Sequence, residues 1–213
     1  MRTDELVLML ATGAEAVTPH QIARRYATAI GWGTLGAVAL VVTLLGVRPD
    51  IGEAAREPML WVKVGFVAAL VVASLLAALR LARPGRSLAW APLALAAPVL
   101  AIWVVAALEL VQSDPAARVR LFMGSTASSC PLLIALLSVP LFVALMWAMR
   151  ELAPTRLRLA GAGSGLLAGA LGALVYCLHC PESAAPFIAT WYLLGMLIPT
   201  ALGALLGPRL LRW

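Results

Sequence analysis

A chain of 213 residues that is 62% hydrophobic and only 12% charged has more apolar surface than one soluble core of that size can enclose, so lipid must solvate much of it. This excludes a soluble globular domain. The net charge of +6 comes from arginines scattered through short segments between apolar runs, a pattern of membrane topology, and no direct contact with nucleic acid is expected.

The chain opens with a short amphipathic element. Thr3 is placed to cap a helix carrying Asp4 and Glu5 in its first turn, where negative charge suits the positive end of the helix dipole. Leu6 to Ala11 is uniformly apolar, with Leu6, Met9 and Leu10 on one face at helical spacing. Such a face calls for a cover, either a partner or the membrane surface. Gly13 is the expected stop, and Thr18-Pro19-His20-Gln21 reads as a capping box from which a second helix runs into the first apolar span.

Crossing roughly 30 Å of hydrocarbon takes about 20 mostly apolar residues in a helix. Runs of that length occupy 28–47, 59–79, 88–111, 131–149, 157–177 and 187–206, predicting six spans. The 26 residues before the first are too long and too acidic for the start of a signal peptide, so that span is expected to be retained. The predicted architecture is an all-α membrane protein. It has a short cytoplasmic N-terminal helical tail, residues 1–26, and a six-helix transmembrane bundle, residues 27–213.

Arginine placement orients the bundle. Arg2, Arg24, Arg25, Arg80, Arg83, Arg86, Arg150, Arg156, Arg158, Arg209 and Arg212 fall on one side, whereas Arg48, Arg56, Arg118 and Arg120 fall on the other, with Lys63 near a span end. The richer side is cytoplasmic, which places both termini there. Trp61 and Trp191 then sit near the outer interface and Trp90, Trp147 and Trp213 near the inner one, as ring anchors.

Gly161, Gly165 and Gly169 recur every four residues along span five, letting another helix approach closely. Gly203 and Gly207 repeat the spacing in span six, and Gly31, Gly33 and Gly36 thin one side of span one. Packing within the bundle accounts for these faces, with homo-oligomer contact left open. Ionisable residues within spans are confined to Lys63 and Glu109, both near the outer end, where a buried pair or a snorkelling contact accounts for them. A transporter would need polar groups near the midplane.

The three cysteines, Cys130, Cys177 and Cys180, all map to the outer side. Cys130 and Cys180 each adjoin a proline at a loop boundary, an attractive disulfide pairing in an oxidising compartment. Cys177 suits a buried small hydrophobe, and its C-x-x-C spacing with Cys180 also suits a membrane thiol-disulfide oxidoreductase. Cys130, His179 and Cys180 together make a half-site for transient binding of a soft metal, with no resident metal or other cofactor expected. No catalytic motif of a zinc protease, phosphate-binding loop or serine hydrolase is present, and the chain is not read as an enzyme.

Across its whole length the chain resembles the NrsF-type membrane anti-sigma factors. The T-D-E-L tail, Cys130-Pro131, the run A-P-T-R-L-R-L-A-G-A-G-S-G and the segment L-H-C-P-E-S-A-A-P-F-I-A-T-W-Y-L-L-G carry the resemblance. It implies a negative regulator that holds an extracytoplasmic-function sigma factor at the inner membrane and releases it under heavy-metal or oxidative stress. The family's two functional cysteines correspond to Cys130 and Cys180, with Cys177 an addition; His179 and Cys177 are the candidate accessories beside them. The tail residues Leu6, Met9 and Leu10 would dock on the sigma factor.

Overall fold

The structure, a computed structural model, describes residues 3–12, 21–83, 85 and 87–212, with the side chains of Leu6, Leu8, Leu10 and Gln21 left outside the description. The expected stop at Gly13 and the cap at residues 18–20 lie outside it too. Every regular element among the described residues is helical.

The elements are α1 (Thr3–Thr12), α2 (Gln21–Leu40, continued by a π-helical turn, Val41–Leu45), α3 (Ile51–Ala54), α4 (Pro58–Leu81) and α5 (Ala91–Gln112). After them come α6 (Pro115–Met123), α7 (Cys130–Arg150), α8 (Leu157–Tyr176), α9 (Ala185–Phe187), a second π-helical turn (Ile188–Tyr192) and α10 (Leu193–Leu210). Six continuous stretches are long and apolar enough to cross a membrane: Ile22–Leu45, Pro58–Leu81, Ala91–Gln112, Cys130–Arg150, Leu157–Tyr176 and Ala185–Leu210. They run alternately up and down, so the first begins and the last ends at the same end of the bundle.

Prolines punctuate this pattern where the missing N–H costs little. Pro58, Pro92, Pro115, Pro131 and Pro186 each fall in the first turn of a helix, where the amide would lack an intrahelical acceptor anyway. Pro98, Pro140, Pro199 and Pro208 lie inside helices. Two of these, Pro140 and Pro199, lie against glycines of neighbouring helices.

The hub is α8. Its glycine and alanine face lets α10 approach until backbone meets backbone, in the contacts Gly161 with Gly203, Gly165 with Pro199, Gly169 with Met196 and Gly207 with Leu157. A methyl group on Gly165 would stand 2.7 Å from the Pro199 carbonyl carbon and 2.9 Å from the Thr200 Cα. Lipid tails are as apolar as leucine, so such close dispersion contact, rather than exclusion of water, is what favours helix association. On its other sides α8 packs against α4 and α7, with Gly172 against Ser138. The α2 helix lies on α7, where Gly33 faces Leu141 and Gly36 faces Pro140. Gly31 faces open space, so only part of the thin side of that helix is used. The α5 helix is peripheral, resting on α4 and leaving Trp103 and Leu100 exposed.

At the end where α2 begins, Tyr26 is buried and its hydroxyl donates to the Met149 Sδ at 3.5 Å. Beside it Arg25 Nη1 pairs with Glu151 Oε2 at 2.6 Å. The packed bundle therefore takes in residues before position 27. Of α1, Val7 is 59% and Met9 69% exposed, and every other described side chain of that helix is exposed as well.

Candidate functional site

The end of the bundle opposite the start of α2 is closed by the segment between α8 and α9. The α8 helix stops at Tyr176, and the chain unwinds through a turn in which the His179 and Cys180 amides both donate to the Tyr176 carbonyl at 3.0 Å. Pro181 disfavours a helical conformation at Cys180, and residues 181–184 run without regular structure to α9.

Cys130 is the first residue of α7, and its thiol lies against that of Cys180. Both residues are completely buried, and all three cysteines are free thiols. The Cys180 thiol is lowered, chiefly by its contact with Cys130 and further by the Lys63 ammonium, against the opposing effect of burial. Tyr176 and Tyr192 close over the pair with ring centroids 5.8 Å apart. The Tyr192 hydroxyl lies against Cys180 yet makes no hydrogen bond of normal geometry. Cys177 takes no part, because its Sγ donates to the Ala173 carbonyl of its own helix at 3.3 Å. The disulfide expected between Cys130 and Cys180 is not formed: the two adjoin as buried free thiols, and Cys177 is a buried free thiol as well.

His179 turns elsewhere. Its Nδ1 lies 2.9 Å from the Gly46 carbonyl, at a glycine whose φ of 79° ends the π-helical turn of the first long helix. Among the described residues no three His, Cys, Asp or Glu side chains are gathered where they could hold a metal ion, so Cys130, His179 and Cys180 are not brought together as a set of three.

Lys63 and Glu109 do not pair with one another, which corrects the expectation drawn from their depth. Each instead binds the cysteine loop. Lys63 is fully buried, and its Nζ donates to the Cys180 carbonyl at 3.1 Å and the Glu182 carbonyl at 2.9 Å while lying 4.9 Å from the centre of the Tyr192 ring. Glu109 Oε2 accepts the Ala185 amide at 2.8 Å, at the start of α9. A charged side chain in apolar surroundings needs hydrogen-bond partners, and backbone groups freed by an irregular loop supply them.

Further side chains complete the closure. Arg48 Nη1 donates to the Cys180 carbonyl at 3.3 Å and its amide to the Leu178 carbonyl at 3.0 Å, while Nε and Nη2 hold Asp50. Glu182 Oε1 accepts both the Ser125 amide and its hydroxyl at 2.7 Å. Trp191 Nε1 donates to the Phe122 carbonyl at 2.8 Å, linking α6 to the sixth long helix. The roles of Arg48, Ser125, Glu182, Tyr176 and Tyr192 are not evident from sequence. The available signal was Lys63 itself, a cation in an apolar helix that had to find acceptors.

These features define a class: a small bundle of six helices long and apolar enough to cross a membrane, with a buried thiol pair at one end and an exposed N-terminal helix preceding it in the chain. Residues 10–213 match the family described as negative regulator of sigma F, NrsF, and the chain belongs to that family. It is 58% identical over 213 residues to the probable anti-sigma-F factor NrsF of Azospira oryzae, with both chains covered completely. It is 39% identical over 217 residues to the anti-sigma-F factor NrsF of Caulobacter vibrioides, again over the full length of both. No solved structure matches the chain.

Proposed function

We propose that this protein is a membrane-embedded anti-sigma factor. Its N-terminal helix holds a sigma factor of the extracytoplasmic-function class at the cytoplasmic face of the inner membrane, and chemistry at Cys130 and Cys180 on the opposite face causes release. The family's regulatory descriptions and the relatives' names support the sigma partner. The observation that carries the reading is α1, on which the apolar side chains of Val7 and Met9 are exposed. An apolar helix left uncovered is suited to laying one face into a groove of a partner.

In this reading the tail inhibits by occupancy, and the signal is a soft metal or an oxidant that reacts with the two thiols. Moving a population from 1:99 to 99:1 takes a differential free energy of about 5.5 kcal/mol, which covalent or thiolate–metal chemistry can supply. A thiol-disulfide exchange enzyme built on Cys177 and Cys180 is disfavoured, because Cys177 bonds to its own helix instead of facing Cys180.

The test is co-purification from native membranes, comparing the full chain with one lacking residues 1–12. That deletion spares Tyr26 and Arg25, which belong to the bundle. A sigma factor retained by the full chain alone is expected, and retention by both would sink the tail as the binding element. Serine at Cys130 and Cys180 should make release indifferent to cadmium or peroxide, and an unchanged response would remove those residues from the sensor.

A further inference from the structure

We infer that Lys63 is the positioning residue of the thiol pair: its buried ammonium, bound by the carbonyls of Cys180 and Glu182, pins the loop over Cys130, and its removal opens the loop and sets the protein in its released state without any signal. The last clause rests on the regulator reading above; the first does not.

The geometry is that of a cation held by loop carbonyls. Lys63 lies between Val62 and Val64 on α4, and a lysine this close to a helix end ordinarily carries its head out to the interface. This one is fully buried. Two of its three N–H donors are used by the loop carbonyls, and its third side is turned toward the Tyr192 ring. The ion pairs found among the described residues are Arg25 with Glu151 and Arg48 with Asp50, so neither supplies a carboxylate to Lys63.

The loop is built to offer those oxygens. Cys180 and Glu182 flank Pro181, which turns the chain away from helix, and both carbonyls accept from Lys63, with Arg48 Nη1 donating to that of Cys180 as well. Two anchors come from the long helices themselves: Lys63 at the start of the loop and Glu109 at its end, on the Ala185 amide. Arg48 and Ser125, which also hold the loop, belong to loops and move with them. Without Lys63 the carbonyls of Cys180 and Glu182 lose their shared donor on a long helix, and the segment is left to the Cys180 amide on the Tyr176 carbonyl and to Arg48, Ser125 and Glu109.

The experiment uses the full chain in lipid nanodiscs, with N-ethylmaleimide labelling of each cysteine followed separately by mass spectrometry. Lys63→Met keeps the length of the side chain and removes its charge and donors, whereas Lys63→Arg keeps both. Cys180 in Lys63→Met should label about ten-fold faster or more than in the unsubstituted chain, as expected of a local opening, while Cys177 stays within about two-fold and Lys63→Arg restores most of the protection. Cys180 remaining as protected as before would overturn the inference. So would Cys177 accelerating in step with Cys180, since Lys63 would then hold the whole bundle rather than the loop.

The same membranes report sigma retention. Loss of sigma from Lys63→Met in the absence of metal or oxidant is the expected result, and full retention despite an open loop would overturn the release clause. An unsubstituted chain that never retains sigma would instead refute the regulator reading, while the labelling rates still decide the role of Lys63.

Discussion

The closest approach of two helices gives the most quantitative test of the fold. Replacing Gly165 by alanine puts a methyl group against the Pro199 carbonyl oxygen, 2.7 Å from its carbon and 2.9 Å from the Thr200 Cα. All three neighbours are backbone, so no side chain can rotate away. Carbon contacts are optimal at roughly 3.5–4.0 Å, so α8 and α10 must separate by roughly 1 Å along that stretch. Overpacking of this kind costs about 1–3 kcal/mol, and the widened gap also weakens the neighbouring contacts at Gly161 and Gly169. For a chain of this size the loss corresponds to a fall of roughly 2–12 °C in the unfolding midpoint. The assay is thermal unfolding in detergent followed by exposure of the buried cysteines to a thiol-reactive dye. The matched control is Gly31→Ala, where a methyl group meets nothing within 4 Å and the better helix propensity of alanine makes the change neutral or mildly stabilising. Equal midpoints for the two variants would refute the packing argument.

Glu109→Gln keeps an oxygen acceptor for the Ala185 amide and should change the midpoint little, whereas Glu109→Ala leaves that amide unpaired and should cost about 1–3 kcal/mol in the same unfolding assay. The Arg25–Glu151 pair is about one-third exposed on each side, so alanine at either residue should cost no more than about 1 kcal/mol, with less effect in high salt. Cys177→Ser should leave any metal- or oxidant-triggered release intact, whereas Cys180→Ser should abolish it; a sigma release assay in membrane vesicles distinguishes the two. Alanine at Leu6, Met9 and Leu10 together should abolish sigma retention without moving the unfolding midpoint of the bundle, and retention at the unsubstituted level would discard that face of α1.

The long helices were legible because lipid demands an unbroken apolar run, and a run of that length has little choice but helix. Their ends were less so. The first span was placed at 28–47, yet the helix carries on from Ile22, because a hydropathy window penalises Arg24 and Arg25 although those side chains reach the surface while Tyr26 turns inward. The sixth was placed at 187–206, yet it runs from Ala185 to Leu210, since Pro186 falls where a helix tolerates proline. The glycine faces were visible as periodicity, but periodicity names one side of a contact, and only the packing identifies Pro199, Met196 and Leu157 as the other. Lys63 and Glu109 illustrate the same limit from electrostatics. Their charges suggested each other, whereas the groups that satisfy them are main-chain atoms of a distant loop, and sequence carries no mark of where a carbonyl points. The Cys130–Cys180 contact was anticipated because prolines marked both positions as loop boundaries, and the unwound end of α8 brings the second thiol back to the start of α7.

One consequence of α7 concerns mechanics. Its 21 residues form a strut of about 30 Å. One tip is Cys130, and the other leads directly into Glu151, with Met149 and Glu151 gripping Tyr26 and Arg25 near the start of α2. Midway, Pro140 bears on Gly36 of α2, at a point where the proline leaves one rung of the helix ladder unmade. A single helix thus joins the cysteine end of the bundle to the Arg25–Glu151 end, and a rigid tilt about its centre would carry its two tips in opposite senses.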